Sequence, residues 1–253
     1  MVALTNPLNN PRWVNSLFST NEYAWVWLMV RVYIGWDWLH AGWGKITNDA
    51  WMNGTSIAGF WTRAVAIPET GRPPISYDWY REFLEFMLDN GWAVWWGPMI
   101  SIGEFLVGLG LLVGCLTGIA AFFGAVLNWN FMLAGTASTN PILGLLGIGV
   151  VIAWKTAGWW GVDRFLLPKV GAPWQPGTLF GGGKLFTLPS SRQEVMRVAE
   201  EWARMLIGVG IGLYALIDLT GWLQILILAI GAVVIISTGM GWLFTRRMAK
   251  TEQ

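Results

Sequence analysis

Apolar residues run along this chain in long, nearly uninterrupted stretches, and polar residues collect between them. A membrane-spanning helix needs roughly 20 mostly apolar residues. Six stretches qualify, at about 23–44, 97–115, 117–136, 141–161, 200–219 and 221–244. Turn residues part the close neighbours: Cys115-Leu116-Thr117 between Gly114 and Gly118, then Asn140-Pro141, then Thr220-Gly221. Each predicts an antiparallel hairpin, and Pro141 suits a first helical turn, where its missing N–H costs nothing. Between the first two stretches the pattern changes. Tyr80, Phe83, Leu84, Met87 and Leu88 repeat at helical spacing, with Arg81, Glu82, Glu85 and Asp89 elsewhere on the wheel. This predicts an amphipathic helix over 76–91, started by Ser76 or Asp78 and ended by Asn90-Gly91. It either lies on the outer membrane face or covers the mouth of the bundle. Ser191-Arg192-Gln193-Glu194 reads as a capping box that opens the helix of the fifth stretch.

Composition agrees with the pattern. Hydrophobic residues make up 55% of the chain and charged residues 12%, against about 25% charged in soluble domains. The chain therefore reads as an all-α integral membrane protein. Its 253 residues divide into a four-span core with the outer amphipathic helix (1–165), a Pro/Gly-rich connector (166–199), and a two-span hairpin with a basic tail (200–253). The polar start lacks the basic-then-apolar order of a cleavable signal, so the first span is expected to be an uncleaved anchor. Arg164, Lys169, Lys184, Arg192 and Arg197 in one loop, and Arg246, Arg247 and Lys250 in the tail, fall on one side of six spans. The positive-inside rule puts that side, and both termini, in the cytoplasm of a multi-pass cell-membrane protein.

Several function classes drop out. A net charge of +1 gives no purchase on nucleic acid. The lone Cys115 excludes an internal disulfide and a thiolate cluster, and the lone His40 excludes a bis-His haem or copper site. Gly181-Gly182-Gly183-Lys184 is no phosphate loop, because Thr178 stands where that motif needs glycine and Leu185 where it needs a hydroxyl. Neither a metal nor a nucleotide is expected.

The candidate chemistry lies in polar residues stranded inside apolar helices: Arg31, Asp37 and His40 in the first, Glu104 in the second, Asn128 and Asn130 in the third. Charges in hydrocarbon are costly and usually face the bundle interior. Counting ~1.5 Å per residue puts Asp37, Glu104 and Asn130 at one depth, with His40 a turn further out and Asn128 slightly deeper. Asp37 and His40, three apart, share a face. Arg31, Gly35, Trp38, Gly42 and Lys45 make a separate stripe, and Ser101, Glu104 and Gly108 make one on the second span. The glycines would let helices approach closely, and Arg31 and Glu104 are expected to stabilise one another, directly or through one intermediary. A cavity bounded by Asp37, His40, Glu104 and Asn130 is expected, the alternative being a closed hydrogen-bond network. Glu104, Asp37 and His40 can move protons in such a site; Arg31, Trp38, Asn128 and Asn130 can hold a ligand. Most of the twenty tryptophans fall near span ends, as interfacial anchors do. Trp36, Trp38 and Trp129 sit deeper, and either line a slot for a flat ligand such as a quinone or fill the bundle.

The run Arg31 to Lys45 (RVYIGWDWLHAGWGK), then Gly103-Glu104 with the following LVGLGLLVG, then Leu127-Asn128 and Asn140-Pro141, resembles the DoxX/DoxD family. That family includes the membrane subunit of thiosulfate:quinone oxidoreductase. The resemblance covers about residues 23–165 and implies a DoxX-like four-helix transmembrane core, here with two additional C-terminal transmembrane helices. It also implies a quinone-linked redox role and a partner subunit on the outer side. Two readings follow. In one, the chain is the membrane subunit of a quinone-linked oxidoreductase that passes electrons from thiosulfate or another sulfur compound to quinone. In the other, it is a non-catalytic accessory subunit that packs within a larger respiratory or photosynthetic membrane complex.

Overall fold

Long apolar runs become helices here because a helix satisfies its own backbone polar groups where no water can. In the computed structural model, residues 10–182 and 191–251 are described, without the side chains of 245–251. Lys184, Leu185 and the end of the glycine run therefore lie outside the described residues, as do the side chains of Arg246, Arg247 and Lys250. The chain is almost wholly helical. In order come α1 (Arg12–Phe18), α2 (Ala24–Ile46), α3 (Asp49–Met52), α4 (Thr55–Val65), α5 (Asp78–Asp89), α6 (Ala93–Val113) and α7 (Thr117–Leu133). They continue with α8 (Asn140–Ile152), α9 (Trp154–Ala157), α10 (Asp163–Val170), α11 (Arg192–Asp218) and α12 (Gly221–Thr251). One antiparallel pair, β1 (Gly171–Ala172) with β2 (Gln175–Pro176), interrupts the connector. Among the described residues, α6 and the Gly221–Phe244 part of α12 are long and apolar enough to cross a membrane, while α7 and α8 are apolar but shorter. The protein is an all-α membrane protein.

Two departures from the sequence pattern have local causes. The stretch expected as one helix over 141–161 breaks after Ile152, where the amides of Thr156 and Ala157 both take the Ala153 carbonyl and the Thr156 hydroxyl adds a third bond to it. Neither Ser76 nor Asp78 caps α5: the N-cap is Tyr77 without a side-chain bond, and Asp78 instead pairs with Arg81 at 2.6 Å.

The chain forms two compact units, Val30–Val151 and the remainder. In the first, α6 turns back into α7 through Gly114 (φ 70°) and Leu116 (φ 50°). Glycine is obligatory where α2 meets α6. A Cβ at Gly42 would run into the backbone of Phe105, and one at Gly108 into the backbone of Leu39. The two sequence stripes thus lie one against the other. Over their ends, α4 and α5 form an outer layer in which Ile57, Trp61, Tyr80, Leu84 and Met87 pack with Ala93 and Ile100 of α6. The amphipathic helix therefore covers the end of the bundle.

In the second unit the capping box forms: the Ser191 hydroxyl accepts from the Glu194 amide, and the Glu194 carboxylate from that of Ser191. The hairpin of α11 and α12 closes at Gly208 against Ile235 and at Gly231 against Gly212. Trp160 lies between Trp202 and Trp242, with ring centroids at 5.6 and 6.3 Å.

Candidate functional site

Helix α6 has two working faces, and the site divides between them. On the first, Gly97, Ser101, Glu104 and Gly108 are all buried, and the Ser101 hydroxyl donates back to the Gly97 carbonyl at 2.7 Å. Glu104 is 0% exposed, and its carboxylate accepts from Lys45 Nζ through both oxygens. The Lys45 ammonium also sits over the rings of Trp51 (4.7 Å) and Phe131 (5.2 Å). A buried carboxylate is tolerated only with such a partner.

This corrects a direct pairing of Glu104 with Arg31. The contact of Gly42 with Glu104 and Phe105 fixes the register of α2 on α6. That register brings Lys45 to the carboxylate and leaves Arg31, eleven residues back from Gly42, ~16 Å away along the helix axis. Arg31 is itself buried.

The second face of α6, carrying Trp96, Ile100, Gly103, Val107 and Gly110, lines a cavity of about 680 Å³. The other walls come from α4, α5 and α7, and include Phe60, Trp61, Phe83, Phe123 and Phe131. Among the described lining residues the polar side chains are few: the Tyr80 hydroxyl, the Asn130 amide, Cys115 and the indole N–H groups of Trp61 and Trp96. Tyr80 donates to the backbone carbonyl of Asn130 at 3.1 Å and approaches its side-chain oxygen at 3.3 Å, while Asn130 Nδ2 donates to the Val126 carbonyl at 2.8 Å.

Of the four residues expected to bound one cavity, only Asn130 lines this one. Asp37 is half-buried on α2 within electrostatic reach of His40. His40 is exposed, with its ring stacked on Trp36 at 5.9 Å. Trp38 is buried against α7, its ring nitrogen 3.1 Å from where a Cβ on Gly124 would stand. Asn128, one turn along the same face of α7, is fully buried, and neither amide atom has a hydrogen-bond partner among the described residues. Two residues that the sequence reading did not assign to the site, Lys45 and Tyr80, turn out to be central. Both already stood in the periodic stripes. Among the described residues, no group of three His, Cys, Asp or Glu side chains could hold a metal.

Burial pushes the Tyr80 phenol up to about 12, well above the usual value of about 10. A folded-state value above the unfolded one gives stability that is complete below pH ~10 and lost as pH rises through ~12. An ultraviolet difference titration between the native protein and Tyr80→Phe is therefore expected to show a phenol ionising near pH ~12. A midpoint at the ordinary value would contradict the burial of this hydroxyl.

The model of the DoxD family, described as the TQO small subunit DoxD, matches residues 26–175. This is more than half of the 253 residues, and the chain belongs to the DoxD family. No curated protein and no solved structure matches it. The matched stretch holds Lys45, Tyr80, Glu104 and Asn130, and with them both faces of the site.

Proposed function

We propose that this DoxD-family membrane protein is the quinone-binding subunit of a quinone-linked oxidoreductase, and that the cavity under α5 takes the quinone. The observation that carries the reading is the cavity itself: about 680 Å³, walled by rings and aliphatic chains, with its phenol and amide together at one end. Ligand sites typically have such volumes, mostly apolar walls and a few placed polar groups. When bound, a quinone supplies an acceptor for two electrons and two protons. Tyr80, protonated at neutral pH, turns its hydroxyl proton from the Asn130 backbone carbonyl to a quinone carbonyl. The Asn130 side-chain oxygen beside it offers an acceptor.

Protons reach that end through the chain's own groups. Phe131 is a wall of the cavity and also carries Lys45 on its ring, so the Lys45–Glu104 pair stands directly behind the site. In this reading the Lys45–Glu104 pair holds a proton for delivery, carried on the Lys45 ammonium, and Asp37 with His40 exchanges protons from the less buried side of α2. Asn130 touches the ligand. Arg31, Trp38 and Asn128 lie outside the cavity lining and support the helices that form it. The sequence supplies no thiolate cluster or bis-His site, so electrons come from a partner subunit or directly from the reductant. The resemblance to the membrane subunit of thiosulfate:quinone oxidoreductase favours thiosulfate or another sulfur compound as that reductant. The basic loop and tail favour cytoplasmic termini, which puts α5 and a docking partner on the outer side of the cell membrane.

Equilibrium binding of decylubiquinone to the purified full-length protein in phosphatidylcholine nanodiscs tests this reading. Saturable binding at one site, weakened by Tyr80→Phe, is expected. Absence of binding would favour an accessory subunit of a larger membrane complex.

A further inference from the structure

We propose that the cavity is a lengthwise slot built for a long-tailed quinone, with the head at Tyr80–Asn130 and the tail lying between α6 and α7 as far as Cys115. This rests on the quinone reading and names the class of quinone. The α6 wall repeats every three or four residues from Trp96 to Gly110, and fourteen residues of helix span ~21 Å. The α7 wall runs antiparallel beside it, from Leu116 at one end to Asn130 and Phe131 at the other. The polar groups are distributed unequally along that length. Tyr80 and Asn130 stand together at one end, and Cys115, in the α6–α7 turn, lies at the other.

Glycine keeps the slot open midway. Gly103 faces it, and a Cβ added there meets nothing within 4 Å. The slot also opens sideways. Leu106 of α6 and Phe123 of α7 both line it, yet are 56% and 55% exposed. A side opening framed by apolar residues on membrane helices admits a ligand from the lipid phase rather than from water. The head group follows from what the lining lacks. Among the described residues no Lys or Arg lines the cavity, and recognition of a phosphate head relies on such cations. A neutral head with carbonyl acceptors and a linear apolar tail satisfies both ends; a phospholipid satisfies only the tail.

Cys115, partly buried and the chain's single cysteine, reports on the far end without any substitution. The native protein in phosphatidylcholine nanodiscs is treated with a maleimide after equilibration with decylubiquinone, duroquinone or lysophosphatidylcholine. Both quinones are fully substituted on the ring, so neither adds to the thiol. At ten times its dissociation constant, decylubiquinone is expected to slow labelling about tenfold, while tail-less duroquinone at the same saturation leaves the rate within about twofold. Binding of decylubiquinone without protection of Cys115 would overturn the tail path and leave the quinone site standing. No binding of either quinone would overturn the quinone reading itself. Protection by lysophosphatidylcholine equal to that by decylubiquinone would make the slot a lipid groove and overturn the proposal.

Discussion

Glu104→Gln alone is expected to destabilise the protein by about 3–5 kcal/mol, and adding Lys45→Met is expected to restore most of that loss. The carboxylate is fully buried, and Lys45 donates to both of its oxygens. Neutralising it leaves an ammonium enclosed by Trp51, Phe131 and a side chain that no longer carries charge. The two rings offset only part of this, since a cation over an aromatic face contributes about 0.5–2 kcal/mol. Methionine keeps an unbranched chain, one atom shorter than that of lysine and without its charge, and replacing both members of a buried pair by neutral groups is often close to neutral. Thermal unfolding of the two variants in the same nanodiscs measures the difference. A double variant as unstable as Glu104→Gln would show that the pair does not act as a unit. The double variant is also the right protein for testing proton delivery: it is expected to bind quinone and to fail in reducing it.

Gly103→Leu is expected to weaken decylubiquinone binding by about tenfold or more while leaving the fold intact, and to add up to about 1 kcal/mol of helix stability. The position lies mid-helix on the cavity face, and a Cβ there touches nothing. A leucine side chain therefore occupies the slot rather than displacing a neighbour. Gly108→Leu is the matched control. Five residues on, that glycine faces α2, and a Cβ there enters the backbone of Leu39. The second substitution should prevent proper packing and the first should not. Two leucines in one helix with opposite outcomes follow from the two faces of α6 and from nothing in helix propensity. Unchanged quinone affinity in Gly103→Leu would place the ligand elsewhere.

The hairpin turns were legible in the sequence because their residues impose backbone geometry locally. Gly114 and Gly221 adopt left-handed conformations, and Pro141 sits in the first turn of α8. The stripes on α2 and α6 were legible for a similar reason, since helical period alone sorts residues onto faces. The pairing across them was not. Period gives a face but no register, and register came from Gly42 and Gly108 allowing backbone contact at one setting. That setting chose Lys45 over Arg31. Depth counting had the opposite weakness: it ignores rotation about the helix axis. Glu104 and Asn130 share a level by count, yet Glu104 turns towards Lys45 on α2 while Asn130 turns into the cavity. Helices α3 and α4 escaped because they are short, four and eleven residues. The apolar side of α4, Ile57, Trp61 and Ala64, acquires meaning only against α5 and α6.

The central claim is that the quinone head occupies the Tyr80–Asn130 end of the α6–α7 cavity. Photo-crosslinking with an azido-substituted quinone, followed by peptide mapping of the adduct, tests it most directly. The account predicts adducts on α5 near Tyr80 and on α7 near Asn130 and Phe131, suppressed by excess decylubiquinone. Adducts confined to the Asp37–His40 segment of α2, equally suppressed, would contradict it.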